Sequence, residues 1–146
     1  MVNQQLVMDI LINAKKVISK YSINTFFTID MIDIFPKNIE EEKKFNRELE
    51  KISKSIVKDV HGIIYILKEG INTDLGLVNN IKIRNYDSNK KYRGAIDLIV
   101  EDFDKYKDSI EFNDNVNFIS NSVNDFIEYE DYNIFLYIIR YSNIKA

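Results

Sequence analysis

Apolar residues recur at helical spacing near the start of the chain. This stripe predicts a helix from Gln5 to Tyr21. A short β-prone run, Thr25-Phe26-Phe27, follows it. Thr28 is a suitable N-cap, and it predicts a short second helix over Ile29–Phe35 that Pro36 ends.

A longer amphipathic helix is predicted next, from Asn38 to Ser53. Asn38 would cap it, with Glu41 three residues later as in a capping box. Two β-prone runs, Ile56–Val60 and Ile63–Leu67, are then separated by only two residues, His61 and Gly62. Such a short connection with glycine in second place predicts a tight β-hairpin.

The second half of the chain predicts a β-α-β-α-β order. The predicted elements are a strand over 79–84, a helix from Gly94 to about Ser109, a strand at Val116–Ile119, a short helix at Asn121–Glu128 and a strand at Asn133–Tyr141. The last strand is apolar on both faces, which places it inside a sheet or at an interface. No internal repeat is apparent, and we expect a boundary between residues 1–70 and 71–146.

Composition narrows the class of protein. With 45% hydrophobic and 29% charged residues, the 146-residue chain can bury a core and is unlike a disordered protein. The absence of cysteine and the presence of one histidine exclude a disulfide framework and a thiolate or multi-histidine metal site. We expect no signal peptide, no membrane span and a cytoplasmic location.

Residues 5–70 resemble the winged helix-turn-helix superfamily in the order helix, short strand, short helix, long helix and hairpin. The resemblance implies an α+β fold: an N-terminal winged-helix-like unit followed by a small α/β (β-α-β-α-β) C-terminal unit. It also implies that Asn38–Ser53 enters a DNA major groove while the wing touches phosphates. The implied DNA-binding residues are Lys43, Lys44, Asn46, Arg47, Lys51, Lys58 and His61.

Acidic residues lie on the surface that the resemblance implies for DNA binding, where they would repel phosphate groups. Three consecutive glutamates, Glu40 to Glu42, open the implied recognition helix, and Asp59 lies in the implied wing. The chain has a net charge of −3, with the acidic excess in its second half. These charges disfavour strong non-specific binding of nucleic acid.

A second candidate surface lies on the predicted helix that begins at Gly94. Asp97, Glu101, Asp104 and Asp108 occupy one face of that helix. The stripe is either a solvated face, an acidic docking surface for a protein that binds nucleic acid, or a metal site. A metal site is the least favoured, because a straight stripe spreads its carboxylates over roughly 16 Å.

No catalytic signature is present. The four glycines are not spaced for a phosphate loop, and His61 has no placed acid partner. We therefore expect no enzyme activity, no cofactor and no metal. The sequence favours a small DNA-binding regulator that binds double-stranded DNA, such as a repressor or antitoxin-like protein of a phage, plasmid or mobile element. The apolar strand Asn133–Tyr141 is its candidate surface for a homodimer. The alternative is a protein-interaction module or inhibitor with an acidic surface, such as a phage counter-defence protein.

Overall fold

The computed structural model describes residues 2–141, with side chains from residue 4 onward. This part of the chain forms one eight-stranded mixed sheet and three helices. The helices are α1 (Val2–Lys20), α2 (Ile39–Glu50) and α3 (Phe103–Asp108). The strands are β1 (Phe27–Ile34), β2 (Ser53–Asp59), β3 (Gly62–Thr73), β4 (Gly76–Arg84), β5 (Gly94–Val100), β6 (Val116–Ser120), β7 (Asn124–Asp131) and β8 (Ile134–Tyr141).

The sheet has the strand order β2-β3-β4-β1-β5-β8-β7-β6. The pairs β1–β4 and β5–β8 are parallel, and the other five pairs are antiparallel. Parallel neighbours need a long crossover. In each half the crossover runs through one helix and two further strands.

The topology of the first half is repeated in the second half. The order β1-α2-β2-β3-β4 is matched by β5-α3-β6-β7-β8. In both, the last strand returns beside the first in parallel, and the middle strands continue outward to the sheet edge. The two repeats meet where β1 pairs antiparallel with β5, at the centre of the sheet.

All three helices pack on the same face of the sheet. On β3, the Tyr65 hydroxyl donates a hydrogen bond to Asn46 of α2, at 2.8 Å. On β7, the Tyr129 hydroxyl lies 2.6 Å from that of Tyr106 on α3. Strand register places both tyrosines on one face, the face to which Gly94 of β5 also belongs.

Helix α1 joins the two repeats on this face. It packs against β1 of the first repeat and against β5 and β8 of the second. A Cβ at Gly94 would overlap the side chain of Ile10, so the helix and strand approach closely there. The apolar stripe of α1 continues into the core formed by α2 and the inward-facing strand positions, including Phe45, Leu49 and Ile32.

The prediction of an N-terminal winged helix is wrong. The segment predicted as the helix Ile29–Phe35 is the central strand β1. A register shift between Ile29 and Met31 allows Ile29 and Ile32 to face the core together. That spacing of three residues imitates a helical pattern. Without the short helix there is no helix-turn-helix pair.

The prediction of a C-terminal β-α-β-α-β unit is also wrong. The segment predicted as one helix from Gly94 begins as β5, and only Phe103–Asp108 is helical. The predicted helix Asn121–Glu128 gives way to strand β7 from Asn124. Strand β5 is buried on both faces, so its apolar residues show no simple alternation. The molecule is mostly β-sheet, with β3 and β4 joined across the expected boundary between halves.

Other elements are confirmed. The first helix, the long helix capped by Asn38, the hairpin of β2 with β3, and the strands β4, β6 and β8 all form. Strand β8 lies inside the sheet between β5 and β7, as its two apolar faces predicted.

Candidate functional site on the helix-free face

Two aspartates lie at the centre of the sheet face that carries no helix within residues 2–141. Asp33 of β1 and Asp97 of β5 are only 7% and 9% exposed. Ile32 and Ile96 pair directly across these strands, and each aspartate is the next residue in its strand. Because side chains alternate along a strand, both isoleucines enter the core and both aspartates point to the helix-free face.

Strand β4 supplies the positive charges beside Asp33. The Arg84 Nη1 atom lies 3.4 Å from Asp33 Oδ2. Lys82 pairs with Asp33 in register, but its Nζ atom reaches over β3 to Asp59 Oδ2, at 2.6 Å. Both cations are therefore engaged with first-repeat carboxylates. We call Asp33, Lys82, Arg84, Asp97 and Tyr137 the central cluster.

The carboxylate of Asp59 is held in its charged form. Burial acts to raise its pKa, but the hydrogen bond from Lys82 and the backbone N–H of His61 outweigh it and lower the pKa. The His61 and Gly62 N–H groups donate to Asp59 Oδ1 at 2.7 and 3.1 Å. Asp59 thus fixes both the hairpin turn and the ammonium group of Lys82.

The carboxyl group of Asp97 is in a different situation. No hydrogen bond or ion pair to it is found among the described residues. Its neighbour in register, Tyr137, instead donates its hydroxyl to Glu128 Oε2, at 3.0 Å. Burial raises the pKa of Asp97 well above its usual range, and the nearby Asp33 and Asp30 carboxylates raise it further. A buried carboxyl beside a like charge favours its protonated form.

Two buried atoms of the central cluster have no partner in the described structure. They are Asp33 Oδ1 and Arg84 Nε. Burial also raises the pKa of Asp33, against the opposing effect of Arg84 and Lys82. Buried polar groups are nearly always hydrogen-bonded, so these two atoms are unusual within the sheet.

Apolar and aromatic side chains flank the central cluster. On the second-repeat side, the ring of Tyr137 stacks with Phe135 at 5.9 Å and meets Phe126 edge-on at 5.7 Å. On the first-repeat side, Ile64 of β3 and Val57 of β2 share this face with Lys82. Val57 is 48% exposed. The face therefore combines a charged centre with apolar flanks.

The residues implied as DNA-binding do not form a recognition surface of the expected kind. Lys43, Lys44 and Arg47 are exposed on α2, and Asn46 faces the sheet to accept the Tyr65 hydrogen bond. The other three, Lys51, Lys58 and His61, are exposed at the end of α2, on β2 and in the hairpin turn. The element before α2 is the strand β1 and not a short helix, so no winged helix orients these side chains.

The acidic stripe predicted for one helix is divided in the structure. Asp97 belongs to β5 and is buried, and Glu101 is exposed just after that strand. Asp104 and Asp108 are exposed on α3, where Asp104 accepts a hydrogen bond from Arg140 at 2.7 Å. Only the last two share a helix, so the four carboxylates do not form one surface.

Sequence reasoning missed most of the central cluster. Asp33, Lys82 and Asp97 each stand between two large aliphatic residues in a short apolar run. A charged residue within such an apolar run is the sequence signal that could have revealed the central cluster, because buried strands rarely carry unpaired charges. The pairing of Asp33 with strand β4 depends on a contact 49 positions away in register and has no local signature.

Comparison with known proteins yields a likeness of fold only. No protein-family model and no curated protein matches the chain. One solved structure, described as "Structural Genomics, Protein EC4020", is similar with a TM-score of 0.72 and 10% sequence identity. The match covers 97% of this chain and 89% of that one. At this identity the similarity concerns the backbone arrangement and carries no activity.

Residues 2–141 lack two features, a metal-binding cluster and a membrane-spanning helix. No group of three or more histidine, cysteine, aspartate or glutamate side chains is arranged there to hold a metal ion. No helix within residues 2–141 is both long enough and apolar enough to cross a membrane.

Proposed function

We propose that this chain is a protein-interaction module that binds a partner with a basic surface on the helix-free face of its sheet. The single observation that carries the proposal is the uncovered face itself: an acidic centre between apolar flanks. A sheet ordinarily buries its apolar face against another layer. Here the helices cover one face, and the opposite face retains half-buried aromatic and aliphatic side chains.

The charge of this face supports a basic partner. In and around the central cluster, five carboxyl groups accompany two cationic side chains. The carboxyl groups belong to Asp30, Asp33, Asp59, Asp97 and Glu128, and the cations are Lys82 and Arg84. Complementary charge steers a basic partner to the face and fixes its orientation.

The dimensions of the face support a macromolecular partner. Eight strands at about 4.8 Å spacing extend over roughly 34 Å. A standard protein interface occupies about 800 Å² on each partner, and Tyr and Phe are enriched in its core. The cluster of Phe126, Phe135 and Tyr137 provides such a core beside the acidic centre.

The test uses cyclic peptides that carry one arginine or lysine among aromatic and aliphatic residues, with glutamate-containing peptides as the matched set. Binding is measured by fluorescence anisotropy, and the site is mapped by amide chemical shifts of the whole chain. We expect the basic peptides to bind and to shift strand amides around the central cluster.

Two variants compare the two sides of the molecule. Phe126→Lys introduces positive charge on the helix-free face, and we expect it to weaken peptide binding about tenfold or more. Ile12→Lys changes an aliphatic side chain that is 49% exposed on α1, so it should bind as the parent does. Equal binding of the glutamate set, or shifts confined to the helices, would contradict the proposal.

A further inference from the structure

The repeated topology makes Asp33 and Asp97 equivalent positions. Each follows the isoleucine of the Ile32–Ile96 pair and lies on the first strand of its repeat. Each is paired in parallel register with the last strand of its own repeat: Asp33 with Lys82 and Asp97 with Tyr137. The environments of the two carboxyl groups can therefore be compared position by position.

The two repeats differ in the charge placed beside the aspartate. In the first repeat, β4 presents Lys82 and, two residues later, Arg84. At the matching positions of the second repeat, β8 presents Tyr137 and Ile139. The Tyr137 hydroxyl is directed to Glu128, and Ile139 is 5% exposed and uncharged. Asp97 therefore has neither of the two cationic neighbours that β4 places beside Asp33.

The cations of the first repeat do not compensate for this loss. Lys82 is engaged by Asp59 at 2.6 Å and Arg84 by Asp33 at 3.4 Å. Asp97 is 9% exposed with no hydrogen bond among the described residues, and the neighbouring Asp33 Oδ1 also lacks a partner. Asp33 Oδ1 is enclosed and Asp33 Oδ2 already faces Arg84, so the Asp97 carboxyl group is the acceptor without a donor.

We infer that the carboxyl group of Asp97 receives the guanidinium group of an arginine side chain of the partner. This inference rests on the proposed function, since it names the chemistry at the centre of that interface. The arginine occupies the place beside Asp97 that β4 fills with its own cations beside Asp33.

A guanidinium fits this position better than an ammonium group. Its planar fork can donate to two acceptors at once, whereas an ammonium acts as a compact, strongly hydrated point charge. The ring of Tyr137 lies next to Asp97 in register and is itself stacked with Phe135. A guanidinium stacks favourably on such an aromatic surface.

At a pH below the pKa of Asp97 in the free protein, binding is expected to release one proton. The proton leaves the Asp97 carboxyl group for solvent, and the guanidinium replaces it as the compensating positive charge. Several titratable or charged groups face Asp97 from the neighbouring strands and set the balance. They are Asp30 and Asp33 on β1, Lys82 and Arg84 on β4, Tyr137 and Tyr141 on β8, and Glu128 on β7 through Tyr137.

The experiment follows the side-chain carboxyl carbons of ¹³C-labelled aspartates by NMR in the whole chain. The probe is N-acetyl-arginine amide, and N-acetyl-lysine amide is the comparison. We expect the arginine probe to shift the Asp97 signal and to lower its apparent pKa. At pH values below the pKa of Asp97 in the free protein, the affinity for the arginine probe should increase about tenfold for each unit by which the pH is raised. The reason is that binding releases one proton.

Three variants separate the site from the rest of the molecule. Asp97→Asn should abolish probe binding and its pH dependence, while amide spectra report that the fold is retained. Asp104→Asn removes an exposed carboxylate on α3 and should leave binding unchanged. Ile139→Arg places a cation where the first repeat has Arg84, so it should lower the pKa of Asp97 and block the probe.

The outcomes distinguish the inference from the proposed function. If basic peptides bind the helix-free face equally well to the Asp97→Asn variant, the inference is overturned and the interaction face stands. If the arginine probe binds at Asp97 but no peptide binds the face, the inference stands and the proposed function fails. Equal binding of the lysine probe, or no shift of the Asp97 signal at saturating arginine probe, overturns the guanidinium assignment.

Discussion

At the residue scale, the central cluster shows how equivalent positions of a fold can have different electrostatic surroundings. Asp33 and Asp97 are placed alike by the strands, but only Asp33 has a cation within ion-pair distance. A buried carboxyl without a cation is expensive to ionise, since desolvation is not repaid by a nearby opposite charge. Asp97 is therefore the residue whose protonation should matter most to the free protein.

Replacing Asp97 by asparagine should change how stability depends on pH. The folded protein raises the pKa of Asp97, so between its ordinary value near 3.8 and the folded value the native state holds a proton that the unfolded chain has released. Parent stability should therefore fall with rising pH relative to Asp97→Asn, by about 1.4 kcal/mol per pH unit in that window. Urea unfolding over a pH series measures it.

Glu101→Gln is the matched control for this experiment. Glu101 is exposed just after the same strand, so this change removes one carboxyl group outside the central cluster. Asp33 is present in every variant, and its own titration contributes to all of them. A difference between parent and Asp97→Asn that stays constant from acid to alkaline pH would show that Asp97 ionises normally.

A second residue-scale prediction concerns the hydroxyl pair of Tyr106 and Tyr129 on the helix-covered face. The two oxygens lie 2.6 Å apart, and burial raises the pKa of both phenols. Either single change to phenylalanine leaves one buried hydroxyl unpaired and should cost about 1–2 kcal/mol of unfolding free energy. The double variant should cost less than the sum of the single variants. Strict additivity in urea unfolding would argue that the hydroxyls do not interact.

At the element scale, local signals predicted what local interactions determine. Helix α2 begins where the sequence placed it, because Asn38 Oδ1 accepts the Glu41 N–H at 2.7 Å and Glu41 Oε1 accepts the Lys37 N–H at 3.0 Å. Both bonds form within five residues of sequence, although Glu41 accepts from Lys37 and not from the N-cap residue Asn38 itself. Strand β1 shows the opposite case, since its bulge imitated a helical spacing that only pairing with β5 resolves.

Removing the cap of α2 tests this element directly. Asn38→Ala should lower the unfolding free energy by about 1 kcal/mol, because the Glu41 N–H loses its acceptor at the helix start. Lys43→Ala changes an exposed side chain of the same helix and should have an effect near zero. Chemical denaturation of both variants gives the comparison. An equal loss in the two would mean that the cap contributes nothing.

At the scale of the whole molecule, the two repeats are joined in two ways. Their first strands pair with each other through seven registered positions of β1 and β5. Helix α1, which precedes both repeats, packs on β1 of one repeat and on β5 and β8 of the other. The helix therefore covers core-facing positions of both repeats.

Unfolding should accordingly be a single transition. Fluorotyrosine labelling provides ¹⁹F signals for Tyr65 in the first repeat and Tyr129 in the second, and both residues are buried. We expect the two signals to lose their native intensity at the same urea concentration, as cooperative unfolding requires. The destabilising change Ile10→Ala in α1 should move both transitions together. Separate midpoints would show that the repeats fold independently.

The sequence by itself determined the features that arise from neighbouring residues. These include the amphipathic helix α1, the capped helix α2, the turn before Gly62 and the apolar strand β8. Each depends on spacing or hydrogen bonds within a few positions, so the pattern contains the information. The same local reading produced the winged helix, because a bulged strand and a doubly buried strand imitate helical periodicity.

Only the tertiary structure decided the topology and the candidate site. The two repeats share strand order without an apparent sequence repeat, because topology is set by which strands pair and not by which side chains they carry. Asp33 meets Lys82 and Arg84, while Asp97 meets Tyr137, through parallel pairings across 49 and 40 positions. Such distant contacts leave no periodic trace in the chain. They nonetheless decide which of two similar carboxyl groups has a cation beside it and which has none among the described residues.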